Sequence, residues 1–365
     1  MVRAGPAELG ANNFDFLRFC LATLVILSHS FALTRGSEQT EPLSVLTRGQ
    51  TNSGELAVHG FFVISGFLVT HSWVRGRGVL DFARKRLSRI YPGYAVALLF
   101  CAVVVVSLAD GGSSVPFDRA WAGRVLRGLV TLRGIEYPGL FPLNPSHALN
   151  GSLWSIKYEA WCYVGLLVLG LAGALRRPAF LLAIFPATLA VSVAFRATGW
   201  NPGWGRLELF LGPPWGWARL LPYFLAGMLF YTFRDRIEYT RSYVALAFGL
   251  LTVAVFVPFG LTALMPVAGS YLLFAAAFSP TLRLHGWARP GDFSYGIYLY
   301  AYPLQQLIVQ RMGTIHPLAL FALATPAAVL FGAASWHGVE RWFLRRTRKP
   351  SPPAPASVES APAAS

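Results

Sequence analysis

The first apolar stretch of the chain reads Phe14-Asp-Phe-Leu-Arg-Phe-Cys-Leu-Ala-Thr-Leu-Val-Ile-Leu-Ser-His-Ser-Phe-Ala-Leu33. Its length matches the ~20 apolar residues that a helix needs to cross a hydrocarbon core. Two of its side chains, Arg18 and His29, are costly in hydrocarbon and therefore indicate a function. At ~3.6 residues per turn and ~1.5 Å per residue, they share one helix face and lie about 16 Å apart in depth. The stretch predicts a retained membrane helix that presents a cation and an imidazole at two levels.

The whole chain has the composition of a polytopic membrane protein. Of its 365 residues, 55% are hydrophobic, 14% aromatic and only 13% charged, and the mean hydropathy is +0.49. These values exclude the soluble globular class. We therefore predict an all-α, polytopic membrane protein of about ten transmembrane helices, one for each apolar segment of sufficient length. The segments are 14–33, 56–73, 91–108, 153–171, 179–195, 217–233, 243–258, 261–278, 293–310 and 317–338.

The distribution of Lys and Arg predicts the orientation in the membrane. A cytoplasmic N-terminus places nearly twice as many of these residues on the cytoplasmic side as on the other, so we predict that both termini are cytoplasmic. The net charge is +15, but the basic residues flank apolar segments and no soluble domain carries them. This distribution excludes nucleic acid as a partner. It favours anionic membrane lipids and a phosphorylated cytosolic ligand.

The chain divides into a membrane domain, residues 1–345, and a C-terminal tail, residues 346–365. The tail is rich in Pro, Ala and Ser and is expected to be disordered. Cys20, Cys101 and Cys162 all lie in apolar segments, which argues against a disulfide framework. The histidines lack the mutual spacing of metal ligands, so no metal site is predicted.

The fourth apolar segment carries an intramembrane carboxylate, Glu159. Both Glu159 and His29 are predicted to lie several ångströms below the outer surface, so we expect the carboxylate and the imidazole to meet. Such a pair would raise the basicity of the imidazole for taking a proton from a hydroxyl group. The structural alternatives are an interhelical hydrogen bond for His29 and a pairing of Glu159 with Lys157 at the interface.

A basic run between the second and third segments places Arg86 and Arg89 on one helical surface, three residues apart. Two guanidiniums fixed in this way can bind phosphates bidentately. The alternative is a topology-setting basic loop, which is the interpretation we favour for Arg84 and Lys85.

Small residues in the second and ninth segments predict close helix packing. The two stretches are Gly60 to Gly66 and Ser294 to Leu299. Within them, Ser65 and Tyr298 are candidates for lining a cavity.

At these positions the sequence resembles the acyltransferase-3 family of integral membrane acyltransferases, from Asn12 to about Arg341. The first matching feature is the pair Arg18 and His29, with ten residues between them. The others are Phe61-Phe-Val-Ile-Ser-Gly-Phe67, Arg86-Leu-Ser-Arg-Ile-Tyr-Pro92, Ser152-Leu-Trp-Ser-Ile-Lys-Tyr-Glu159 and Ser294-Tyr-Gly-Ile-Tyr-Leu299.

The resemblance implies transfer of an acyl group, commonly acetyl, from cytosolic acyl-CoA to a glycan or lipid-linked glycan at the outer face of the bacterial cytoplasmic membrane. It implies that His29 is the essential histidine, with Arg18 as its companion in the motif. It further implies that Arg86 and Arg89, with Arg18 beside the path of the thioester arm, contact the acyl-CoA donor, and that Glu159 is the acidic partner. Direct transfer and an acyl-histidine intermediate are both compatible with these residues.

One departure from the family pattern concerns the ninth segment. Many members have a histidine two residues before its Pro, where this chain has Ala301 in Tyr300-Ala-Tyr-Pro303. The role of that histidine is then absent here, or it falls to Tyr300 or Tyr302. A different class of function, a proton-coupled transporter or flippase of a lipid-linked or acyl substrate, would also use intramembrane charges. Transport should not need acyl-CoA, whereas transfer requires it.

Overall fold

The computed structural model describes residues 12–112, 115 and 117–347. In this part of the chain the fold is helical and contains no strand, which confirms the predicted all-α class. The helices of the bundle, α1 to α11 in chain order, are Phe14–Arg35, Ser53–Val74, Val79–Leu108, Arg119–Thr131, Ile156–Leu171, Pro178–Thr198, Pro214–Thr232, Arg241–Ala254, Gly260–Ala277, Ser294–Met312 and Pro317–Thr347. Short helical turns connect them at Pro42–Leu46, Gly151–Ser155, Ala174–Arg176, Gly205–Leu207 and Glu208–Leu211.

Each predicted apolar segment coincides with one of these helices, but the number of spans is not confirmed. Among the described residues, six helices are long and apolar enough to cross a membrane: α1, α2, α3, α6, α9 and α11. The other helices do not combine that length with that hydropathy. α4 was not predicted as a helix. It begins where the Asp118 side chain accepts a hydrogen bond from the Trp121 amide, as an N-terminal cap.

α2 and α7 pack closely along their lengths, because glycines face the opposite backbone. A Cβ at Gly66 would overlap the Phe224 carbonyl, and one at Gly227 would overlap the Val63 carbonyl. The predicted packing role of the Gly60 to Gly66 stretch is therefore confirmed. α1 packs on α2 and also on α10 and α11. Its residues Arg18 and His29 therefore lie among neighbouring helices.

The predicted domain boundary falls near the end of α11. The helix continues to Thr347, and residues 348–365 of the predicted tail lie outside the described residues.

Candidate active site

A large basic cavity opens at one end of the bundle. It has a volume of about 1090 Å³ and lies among the starts of α1, α3, α5 and α10, the end of α11, and α2 from Val58 onward. Nine cationic side chains outnumber the four carboxylates that line it. The cations are Arg18, Arg75, Arg77, Lys85, Arg86, Arg89, Arg289, Arg341 and Arg345, and the carboxylates are Asp15, Asp81, Glu159 and Asp292. We call this space the basic cavity.

Arg18 and Arg89 converge on one carboxylate at the wall of the basic cavity. Arg89 Nη2 donates to Asp292 Oδ2 at 2.7 Å, and Arg18 Nη1 lies 3.4 Å from the same oxygen. Arg18 Nη1 also lies 3.6 Å from Asp15 Oδ1. The other Asp292 oxygen accepts from the Ser294 hydroxyl and amide at the start of α10. Both arginines are therefore held by carboxylates rather than free to bind a ligand alone.

Asp292 is a site residue that the sequence analysis missed. Burial by itself would raise the pKa of its carboxyl, but the Arg89 and Arg18 guanidiniums lower that pKa to about 2. The available signal was weak: an Asp two residues before a Ser that begins a helix is typical of a cap, not of an ion-pair centre.

Arg86 differs from Arg89 in its surroundings, although the two share a helix face as predicted. Within the described residues, Arg86 forms no ion pair. Its Nη2 lies 3.4 Å from Ser72 Oγ, its guanidinium lies over the Tyr163 ring at 5.6 Å, and its Nε is buried without a hydrogen-bond partner. Arg86 thus lines the basic cavity without a carboxylate partner, and its Nε–H donor is unused.

Glu159 lines the basic cavity and is held there by two hydroxyls. Tyr163 Oη donates to Glu159 Oε1 at 2.5 Å, and Ser65 Oγ donates to the same oxygen at 3.1 Å. Ser65 thus lines the cavity as predicted, and so does Tyr298.

The expected meeting of Glu159 with His29 does not occur in the described structure. Glu159 lies with Arg18 on the basic cavity, whereas His29 lies eleven residues further along α1, about 16 Å away in depth. The reason is the turn Gly151–Ser155, which begins inside the bundle rather than at its surface. Asn150 donates to the Leu299 carbonyl in the middle of α10, and this deep entry moves Glu159 toward the other end. The alternative pairing of Glu159 with Lys157 is also absent, because the Lys157 ammonium donates to the Leu209 carbonyl.

His29 is partly buried beside Tyr302 of α10. The two rings meet edge to face with centroids 5.0 Å apart. His29 Nδ1 is buried without a hydrogen-bond partner, and Tyr302 Oη is 2.9 Å from Ser146 Oγ. Ala301, at the position of the absent histidine, is buried against Ala22 and Ile26 of α1 and makes a helix contact. Of the two tyrosines considered for its role, Tyr302 is the one that lies on His29.

The carboxylate nearest to this turn of α1 comes from the following loop. Glu38 Oε1 accepts from Ser28 Oγ at 3.2 Å, and its Oε2 accepts from the Asn52 amide at 2.7 Å. Burial raises the pKa of the Glu38 carboxyl. No group of three or more His, Cys, Asp or Glu among the described residues could hold a metal ion.

Comparisons with known proteins identify the family of the chain. A protein family described as "Acyltransferase domain" matches residues 12–337. The chain is 28% identical to a protein named "O-acetyl transferase" from Shigella phage Sf6, over 92% of this chain and 97% of the relative. It is 25% identical to "Nodulation protein 10" of Rhizobium leguminosarum bv. viciae, over 90% of this chain and 92% of the relative. It is 30% identical to "Acyltransferase MdmB" of Streptomyces mycarofaciens over 31% of this chain and 28% of the relative. No solved structure matches the chain.

Proposed function

Because the chain belongs to this acyltransferase family and is an acyltransferase, we propose that it moves an acyl group, in the first instance acetyl, from cytosolic acyl-CoA to a hydroxyl of an exported or cell-surface glycan. The observation that carries the proposal is the basic cavity, with its excess of cations and with Arg86 in its lining without an ion pair among the described residues. The name of the phage relative supports an O-acetyl product. We further propose that the enzyme lies in a bacterial cytoplasmic membrane with both termini inside.

The donor would bind in the basic cavity. CoA carries a diphosphate and a 3′-phosphate, and guanidiniums bind such groups through paired hydrogen bonds. Arg86 would supply donors directly, whereas Arg18 and Arg89 would act with Asp292 already bound to them. Arg341 and Arg345 extend the cationic lining along the last turns of α11. A volume of about 1090 Å³ is at the upper end of the ~300–1,000 Å³ range of ligand pockets, which suits a long nucleotide ligand.

The positive-inside rule supports a cytoplasmic position for the basic cavity. The predicted orientation places the α2–α3 connection, the segment before α10 and the end of α11 on the cytoplasmic side, and these three segments meet at the cavity. Arg18 lies at this level and His29 lies deeper along the same face of α1. The thioester arm would extend past Arg18 toward His29.

We assign His29 as the general base. In direct transfer, the acceptor hydroxyl oxygen bonds to the acyl carbon, and the C–S bond of the thioester breaks. The His29 imidazole takes the hydroxyl proton and passes it to the CoA thiolate. His29 has a free nitrogen for this step, since its Nδ1 has no hydrogen-bond partner. If acyl-histidine forms first, the same ring carries the acyl group before the hydroxyl attacks.

Acetyl transfer in membrane vesicles tests this function. Vesicles with the cytoplasmic face outward receive acetyl-labelled acetyl-CoA, and label in glycan is counted. His71→Ala is the matched control for His29→Ala, because His71 is also partly buried, also has an unpartnered Nδ1 and also lies edge to face with a tyrosine. We expect label with the wild type and His71→Ala but not with His29→Ala. Movement of the glycan across the vesicle membrane in the absence of acyl-CoA would instead support a transporter.

A further inference from the structure

A second chamber lies beside the start of α2. It has a volume of about 330 Å³ and is formed by the starts of α2, α7 and α9 and the end of α6. The basic cavity reaches along α2 as far as Val58, and the neighbouring residue, His59, lines the second chamber. The two spaces share no lining residue but approach each other closely along α2.

The floor of the second chamber is a charged cluster of three side chains. Glu55, which is 6% exposed, accepts at Oε1 from Arg196 Nη1 at 2.7 Å and from Arg219 Nη2 at 3.1 Å. Arg219 Nε is buried and has no hydrogen-bond partner. The three charged side chains all line the chamber, and one N–H donor of the cluster has no hydrogen-bond partner.

Flat aromatic rings form the walls of the second chamber. The His59 ring stacks on Tyr223 with centroids 3.7 Å apart and an interplanar angle of 10°. The Arg219 guanidinium lies 5.4 Å from the Trp215 ring centroid. Trp200 lines the chamber and is 64% exposed, so much of its surface is available to a ligand. Aromatic faces beside a few fixed polar groups bind ligands that have both an apolar C–H face and hydroxyl groups.

From these features we propose that the second chamber binds the acceptor, and that it takes a pyranose ring of the glycan. The ring lies against Trp200 or Trp215 and its hydroxyls pair with the Glu55 cluster. This assignment rests on the proposed function for the choice of a glycan, but the chamber itself is a separate site from the basic cavity.

Hydrogen bonds connect the second chamber to the part of α1 that carries His29. The Asn52 side-chain oxygen Oδ1 accepts from the backbone N–H of Glu55 at 2.7 Å, and the Asn52 side-chain Nδ2 donates to Glu38 Oε2 at 2.7 Å. Glu38 in turn accepts from Ser28, the neighbour of His29. Donor and acceptor would thus enter through separate spaces along α2, and the reaction would occur between them.

Two tryptophans of one loop provide a test with a matched control. Trp200 lines the second chamber, whereas Trp204, which is also exposed, does not. Purified full-length protein is assayed with acetyl-CoA and with a surface polysaccharide from the cell that carries the gene. Alkali is used beforehand to remove the ester groups of this polysaccharide. We expect Trp200→Ala to raise the KM for the polysaccharide about tenfold, as for the loss of a stacking surface. It should leave the KM for acetyl-CoA unchanged, and Trp204→Ala should leave both unchanged.

Binding of the same polysaccharide to immobilised protein, without acetyl-CoA, separates this proposal from the proposed function. Binding that Trp200→Ala weakens and Trp204→Ala does not would support the chamber, even if no acetyl group is transferred; absent transfer would then count against the proposed function alone. The chamber assignment is overturned if the wild type does not bind the polysaccharide, or if Trp200→Ala and Trp204→Ala behave alike. It is also overturned if Trp200→Ala raises both KM values equally.

Discussion

Asp292→Asn is the substitution for which the structure gives the clearest magnitude. The Asp292 side chain is 11% exposed and neutralises Arg89 and Arg18 on the wall of the basic cavity. Lowering the pKa of a carboxyl from 3.8 to about 2 corresponds to roughly 2.5 kcal/mol at ~1.36 kcal/mol per pKa unit. Asparagine cannot supply that charge, so it leaves the partly buried Arg89 guanidinium without an ion pair and Arg18 with Asp15 alone. We therefore expect the free energy of unfolding to fall by about 2–3 kcal/mol.

The pH dependence of this effect follows from the sign of the pKa change. Because the pKa of Asp292 is depressed, its ionised carboxylate stabilises the folded state fully above pH 3.8. This stabilisation is lost as the pH falls through about 2. The difference between wild type and Asp292→Asn should therefore shrink as the pH falls from about 4 to about 2. A difference that does not shrink across this interval would contradict the assignment.

CoA should partly rescue Asp292→Asn, because its phosphates can supply the missing negative charge to Arg18 and Arg89. A ligand that binds only the folded state stabilises it by RT ln(1 + [L]/Kd), so a fivefold tighter Kd adds about 1 kcal/mol. The assay is thermal unfolding of the protein in detergent, with and without CoA. Asp235→Asn is the control, since Asp235 pairs with Arg234 but is 60% exposed and should matter little. Equal Tm values for wild type and Asp292→Asn, or a CoA shift that is no larger in the variant, would refute the reasoning.

Two further substitutions test the donor site and the helix packing. Arg86→Gln should raise the KM for acetyl-CoA by about tenfold or more, because a charge-assisted hydrogen bond contributes about 1.5–3 kcal/mol. Arg84→Gln is the control and should leave this KM unchanged, because the Arg84 side chain is exposed and does not line the basic cavity. Steady-state transfer in vesicles measures both, and equal KM values would remove Arg86 from the donor site. Gly66→Ala should lower stability by about 1–3 kcal/mol, since a Cβ there overlaps the Phe224 backbone of α7. Gly165→Ala is the control, because a Cβ at Gly165 meets nothing within 4 Å. Equal Tm values for the two variants in detergent would contradict the close packing of α2 on α7.

The sequence was sufficient to predict the helical class, the positions of the long helices and several residues of the basic cavity. These predictions depend on local periodicity, as with Arg18 and His29 on one helix, or on neighbouring residues, as with Arg86 and Arg89. The family resemblance added the order of the motifs along the chain, and the comparisons confirm the family.

The sequence could not predict contacts between residues that are far apart in the chain. Asp292 lies 274 residues from Arg18, and Glu55 lies 141 residues from Arg196, so no local pattern brings them together. The predicted pairing of Glu159 with His29 was wrong for a related reason. A depth estimate assumes that a segment enters at the membrane surface, whereas the turn before α5 begins inside the bundle against the middle of α10.

The most direct test of acyl transfer through His29 is mass spectrometry of cell-surface glycans. The glycans are taken from a bacterial strain that lacks this gene. The strain is complemented with the wild-type protein or with His29→Ala, at matched levels in the membrane. We predict that the wild type restores an acetyl mass on a surface glycan and that His29→Ala does not. Restoration by His29→Ala would contradict the role of His29, and identical glycans in all strains would contradict a surface glycan as the acceptor.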